Sequence, residues 1–122
     1  MTSLQDVQVL VVENDELNAM LLQLQLEGEG MHVAGVAPSV ADALRLVDEL
    51  QPQVVFLDYW LARNENSTPV AERLVALGTP FLVATGMDIS QLPAVFNAGI
   101  KLRKPYTGAD LGAALRRALA PA

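Results

Sequence analysis

The chain has 122 residues, 52% of them hydrophobic and 18% charged, with a net charge of −6. That is the size of one domain with a self-sufficient core, and its acidity argues against general nucleic-acid binding or docking on anionic lipid. There is no cysteine and one histidine, His32, so disulfides, thiolate zinc sites and cysteine nucleophiles are excluded and His-clustered metal sites have no material. No apolar run approaches the ~20 residues of a membrane span. The start, Met1 to Asp6, has neither a basic nor an apolar signal region. The expectation is a cytoplasmic protein with one domain over 1–122, a core of about 7–119, and no output domain.

Taken in chain order, short β-rich runs alternate with helical periods. Val7–Val12 is dense in valine, as a strand covered on both faces should be. The period then changes over Asp15–Glu27, where Leu17, Met20, Leu21 and Leu24 fall at i, i+3, i+4 and i+7 and predict a buried stripe. Asn14 or Asp15 can cap that helix, and Gly28 or Gly30 can end it. Met31–Ala37 reads as a second strand. Ser39 and Asp42 form a weak capping box before a helix through Leu50, with Val40, Ala43, Leu44, Val47 and Leu50 as its stripe.

Gln53–Asp58 is a third strand, running into a polar loop from Arg63 to Thr68. Pro69 suits the first turn of a third helix, Pro69–Leu77, and Thr79–Ala84 is a fourth strand. Asp88–Ala98 is a poorer helix because Pro93 breaks it unless it starts there. Ile100–Lys104 is a short fifth strand. Thr107 caps a last helix with Leu111, Ala114, Leu115, Ala118 and Leu119 in period. Strands alternating with helices predict an α/β domain with a parallel sheet, and right-handed crossovers put helices on both of its faces.

Open parallel sheets bind ligands at the carboxyl ends of their strands. The polar residues there are Glu13, Asn14 and Asp15 after strand 1, Asp58 after strand 3, Thr85-Gly86 after strand 4 and Lys104-Pro105 after strand 5. Each has an ordinary explanation alone: acids favour a helix N-terminus, an Asp begins turns, a lysine is usually solvated. Acids, a hydroxyl and an ammonium converging on one sheet edge make a less ordinary set.

The pieces Val9-Leu10-Val11-Val12-Glu13, Val55-Phe56-Leu57-Asp58, Ala84-Thr85-Gly86 and Lys104-Pro105-Tyr106 give a chain that resembles the receiver domain of two-component response regulators over essentially its whole length. The resemblance implies a flavodoxin-like, doubly wound five-stranded parallel sheet of order 2-1-3-4-5. It implies Asp58 as acceptor of a phosphoryl group from a histidine kinase or phosphotransfer protein, with Thr85 and Lys104 binding phosphoryl oxygens. It also implies Mg²⁺ on Glu13, the position of Asn14, Asp58 and the backbone carbonyl of Trp60, and a cis bond before Pro105. The phosphoryl transition state spreads charge over its oxygens, so positioning and electrostatics carry such catalysis.

Three departures qualify the resemblance. Asn14 stands where the family has an acid that ligates the metal directly, so Mg²⁺ is expected to bind weakly. Ala62 stands where a proline is usual. Lys101 stands where the family often keeps an aromatic switch residue, and burying its ammonium unpaired would be costly, so it is expected to face solvent. The favoured function is a single-domain receiver signalling by protein–protein contact to an output protein. It would not be an enzyme, would touch no nucleic acid or membrane, and is compatible with a homodimer. The alternative is a pseudo-receiver that signals without phosphorylation, which Asn14 favours. A dehalogenase-type phosphatase is rejected because it needs a second Asp two residues after the first, where this chain has Trp60. A nucleotide- or flavin-binding domain is rejected because Glu13-Asn14-Asp15-Glu16 would repel phosphate.

Overall fold

The computed structural model describes residues 3–121. Five parallel strands form one sheet in the order β2-β1-β3-β4-β5, with β1 at Gln8–Val12, β2 at His32–Ala37, β3 at Val54–Asp58, β4 at Phe81–Thr85 and β5 at Ile100–Arg103. This is the expected doubly wound order. The unbroken apolar runs of β3 and β4 are explained by their position: every residue of both is buried, because each has strands on both sides and helices above and below. Strand ends differ from the sequence reading by one or two residues, Thr85 for instance closing β4 where Ala84 was expected.

Four helices cover the two faces: α1 (Glu16–Gly28), α2 (Val40–Leu50), α3 (Thr68–Leu77) and α4 (Gly108–Leu119). On one face α1 and α4 send Leu22, Leu26, Leu111 and Leu115 onto Val9, Val11, Phe56 and Leu82. On the other, α2 and α3 send Ala43, Val47, Val70 and Leu74 onto Leu10, Val12, Leu57 and Val83. Alternate residues of each strand thus feed opposite layers, as the period-two geometry of a strand requires. Asp15 caps α1 by accepting from Asn18 N, and Ser39 caps α2 by accepting from Asp42 N. Thr107 and Asp110 close a full capping box on α4. Pro69 sits in the first turn of α3, one residue later than the start, Thr68. Among the described residues no helix is long and apolar enough to cross a membrane.

Two expectations are corrected. The stripe predicted to be buried on α1 is exposed: Leu17, Met20, Leu21 and Leu24 are 62%, 59%, 52% and 61% accessible. The buried set is Ala19, Leu22 and Leu26. The helix is apolar on both sides, and the side with the smaller Ala19 lies on the sheet. The last residue of the α2 stripe, Leu50, is also on the surface. Second, the region before β5 contains no α-helix. Pro93 divides it into two 3₁₀ turns, Ile89–Gln91 and Ala94–Ala98, of which the second buries Phe96. Gly99 follows because a Cβ there would stand 2.4 Å from the Phe81 ring. Lys101 is only partly covered, its ammonium at the surface donating to Asn97 Oδ1 on the second turn.

Candidate phosphoryl-acceptor site

β3 delivers Asp58 to the carboxyl edge of the sheet, nearly buried between the ends of β1 and β4. Lys104, just past the end of β5, donates from Nζ to Asp58 Oδ1 at 3.0 Å. Its backbone is fixed by a bond from Lys104 N to Thr85 O at 2.8 Å, and the Lys104–Pro105 peptide is cis, as the resemblance implied. The lysine therefore meets the carboxylate from a main chain that β4 already holds in place.

Glu13 lies beside this pair. Its backbone N–H donates to Ala37 O at 3.0 Å, which continues the β1–β2 ladder, and its side chain is buried with Oε2 lacking any partner. Burial, and then the hydrogen bond and negative charge of Asp58, push the Glu13 carboxyl up to about 7 against a partial pull from Lys104. Glu13 thus holds a proton near neutrality, because its burial and the adjoining Asp58 carboxylate both disfavour its charged form. A divalent cation is the group whose arrival would release that proton.

Thr85 is buried at the end of β4, and its Oγ1 accepts from Met87 N at 3.1 Å. Asn14 is exposed at the start of the turn into α1. Asp15, the next acid along, is committed to its cap: Oδ1 accepts from Asn18 N at 2.9 Å. Trp60 lies two residues beyond Asp58, bridged to Asn66 across the loop; its indole is half exposed and donates from Nε1 to Met87 Sδ at 3.3 Å. The structure therefore brings Glu13, Asp58, Thr85 and Lys104 to one edge, with Asn14 and Trp60 on its rim.

No group of three or more acidic, histidine or cysteine side chains is arranged to hold a metal among the described residues. The oxygen donors that exist are the orphaned Glu13 Oε2, the Asp58 carboxylate, the Asn14 amide and the Trp60 carbonyl. This all-oxygen set fits a hard cation such as Mg²⁺ and carries one charge fewer than three acids would.

Beside Asp58 opens a cavity of about 450 Å³ lined by Glu13, Asn18, Leu21, Phe56, Lys104 and Tyr106. Tyr106 tilts against Phe56 at 6.3 Å between ring centroids. Burial, then the charges of Asp58 and Glu13, push its phenol up to about 12, so it stays neutral. Sequence reasoning missed Tyr106, Met87 and the exposed leucines of α1 as residues of this neighbourhood. Tyr106 follows directly on Lys104-Pro105 and was open to the same strand-end argument. Met87 carried no signal, since a methionine two residues past a strand reads as ordinary packing.

Comparison with known proteins gives a consistent assignment. A family model described as the response regulator receiver domain matches residues 9–116. The solution structure of SdrG from Sphingomonas melonis Fr1 superposes with a TM-score of 0.81 at 36% identity, covering 98% of this chain and 100% of that one. The BeF3-activated conformation of SdrG aligns at 0.79 with the same identity and coverage. The response regulator PhyR from Brucella abortus shares the fold at a TM-score of 0.82 and 23% identity, over 96% of this chain and 49% of that one. No curated protein matches.

Proposed function

The chain belongs to the response regulator receiver family, and from that premise we propose that Asp58 accepts a phosphoryl group from the histidine of a kinase or phosphotransfer protein. The observation that carries the reading is the nearly buried Asp58 carboxylate ion-paired to Lys104 beside the unpartnered oxygen of Glu13. An Asp58 oxygen forms the new bond to phosphorus as the bond from phosphorus to the donor imidazole nitrogen breaks, and the imidazole leaves with the electron pair and takes a proton. Lys104 is placed to follow the developing charge, moving from the carboxylate to a phosphoryl oxygen, and Thr85 supplies a hydroxyl to another. Receiver domains generally bind Mg²⁺ in their acidic pocket; here it would sit on Glu13, Asp58, the Asn14 amide and the Trp60 carbonyl and supply charge neutralisation. With an amide at 14 its affinity is low.

The exposed side of α1 gives the donor a place to dock. Leu17, Met20, Leu21 and Leu24 form one apolar stripe on a segment, residues 17–26, without a single charge, and Leu21 also lines the cavity that opens beside Asp58. Stripes of this spacing accept helices. The chain is then a cytoplasmic phosphoryl acceptor that acts on an output protein by contact and is not itself an enzyme of metabolism.

The test is incubation with acetyl phosphate and Mg²⁺, read by intact mass. One adduct of about 80 Da is expected in the wild type and none in Asp58→Asn. A second reading, signalling without phosphorylation, is favoured by Asn14 alone. It would prevail if no adduct formed even in Asn14→Asp, where the missing charge is restored.

A further inference from the structure

Two loops leave the acceptor edge, one after Asp58 and one after Thr85, and a contact between Trp60 and Met87 ties them together two residues out from each. Met87 provides both halves of the tie. Its N–H donates to Thr85 Oγ1 at 3.1 Å, and its Sδ accepts from the Trp60 indole at 3.3 Å. Inward, the Trp60 ring sits edge-on to Tyr59 at 5.1 Å. Tyr59 sits edge-on to Phe96 at 5.4 Å, on the 3₁₀ turn that stands where a helix was expected. Residue 101, the place of the family's aromatic switch, is a lysine held by Asn97.

We propose that Met87 and Trp60 are positioning residues that report occupation of the phosphoryl site, with Met87 as the joint and Trp60 as the moving part. The proposal rests on Asp58 being the acceptor. A phosphoryl group on Asp58 draws the Thr85 hydroxyl toward it. The Met87 amide then follows its acceptor or loses it, and both courses shift the sulfur away from the indole. Trp60, already half exposed, has no other hydrogen-bond acceptor among the described residues and turns outward. Tyr59 loses its edge contact, and the change passes to Phe96 and the 3₁₀ turn. The device thus uses tryptophan on the acceptor loop where other receivers use an aromatic on β5. If the contact were surface packing alone, changing the sulfur would alter Trp60 without altering its response to the site.

Trp60 is the only tryptophan in the chain, so its emission reads the joint directly. The full chain is titrated with beryllium fluoride and Mg²⁺. Bound fluoride is followed by ¹⁹F NMR, and Trp60 by acrylamide quenching. In the wild type, quenching should rise about twofold as fluoride binds. Met87→Leu should bind fluoride equally, show the higher quenching before any is added, and change no further. Thr85→Val should likewise raise resting quenching, since it removes the acceptor of the Met87 amide. The relay is overturned if fluoride binds the wild type and Trp60 does not respond, or if Met87→Leu responds as the wild type does. If no bound fluoride is seen, the acceptor reading of Asp58 is what has failed. The resting proteins then decide the relay, and equal quenching in wild type, Met87→Leu and Thr85→Val overturns it.

Discussion

Helices α1 and α4 lie on the same face of the sheet, yet they use their apolar residues in opposite ways. α4 buries Leu111, Ala114 and Leu115, closes its N-terminus with the Thr107–Asp110 box, and ends on Arg116 and Arg117, which suit the negative end of the helix dipole. α1 buries Ala19, Leu22 and Leu26, has only a single capping bond from Asp15, has no basic residue in its last turn, and leaves four larger apolar side chains in water. α4 is built to stay in place. α1 gives up part of that economy to present a surface, and an exposed apolar stripe on a small acidic protein is a mark of binding rather than of folding.

The sharpest way to break this contrast is truncation on each helix. Leu115→Ala should cost about 2–5 kcal/mol of stability, since Leu115 is fully buried, whereas Leu21→Ala should stay within about 0.5 kcal/mol. Urea denaturation of both variants measures the difference, and similar losses would mean that α1 is core after all. Next in size, Leu21→Glu combined with Leu24→Glu should slow phosphotransfer from a histidine-phosphorylated donor protein by about tenfold or more. Labelling by acetyl phosphate should be unchanged in that variant. Equal losses with both donors would show a damaged site rather than a lost docking surface.

A third expectation concerns the acidic residue beside Asp58. Glu13, raised to about 7 in the folded protein, is protonated there at pH values where the unfolded chain is not. Its contribution to stability is therefore fully present below the ordinary 4.5 and is lost as pH rises through 7. Mg²⁺ needs the carboxylate, so its affinity should rise about tenfold per pH unit below 7 and level off above, a slope that Glu13→Gln abolishes. Asn14→Asp should tighten Mg²⁺ several-fold. Isothermal titration at several pH values checks both, and a flat pH profile in the wild type would remove Glu13 from the ligand set. The smallest effects belong to the caps. Thr107→Ala and Asp15→Ala should each cost about 1 kcal/mol. Asp15→Ala should leave Mg²⁺ affinity unchanged, and a fall there would turn Asp15 from a cap into a ligand.

Most of the architecture was legible because the strands declare themselves. Runs such as Val54-Val55-Phe56-Leu57 are short, apolar and ended by Asp58, and a parallel sheet then dictates which polar residues share an edge. The same rule placed Glu13, Thr85 and Lys104 together before any side chain was seen. Pro93 announced the broken helix. The side on which α1 packs was not legible. Leu17, Met20, Leu21 and Leu24 form one helical stripe and Ala19, Leu22 and Leu26 another, and periodicity cannot choose between two apolar sides. The tie from Thr85 through Met87 to Trp60 was hidden for a different reason. It joins two loops distant in sequence through a sulfur, and neither propensity nor spacing encodes that.

The pair of 3₁₀ turns between β4 and β5 has a consequence for the energy scale on which this protein changes shape. Residues 89–91 are held by Asp88 side-chain bonds to Ser90 and a few i→i−3 bonds, with no side chain of the turn buried, while Phe96 is the one buried side chain of the second turn. A full α-helix here would have to be moved as one cooperative unit. Two short turns hinged at Pro93 open separately, near the low end of the local unfolding free energies found within a domain. Amide protons of residues 87–92 should accordingly exchange well before those of β3 and β4, and a rearrangement of that segment demands little work from the chemistry next to it.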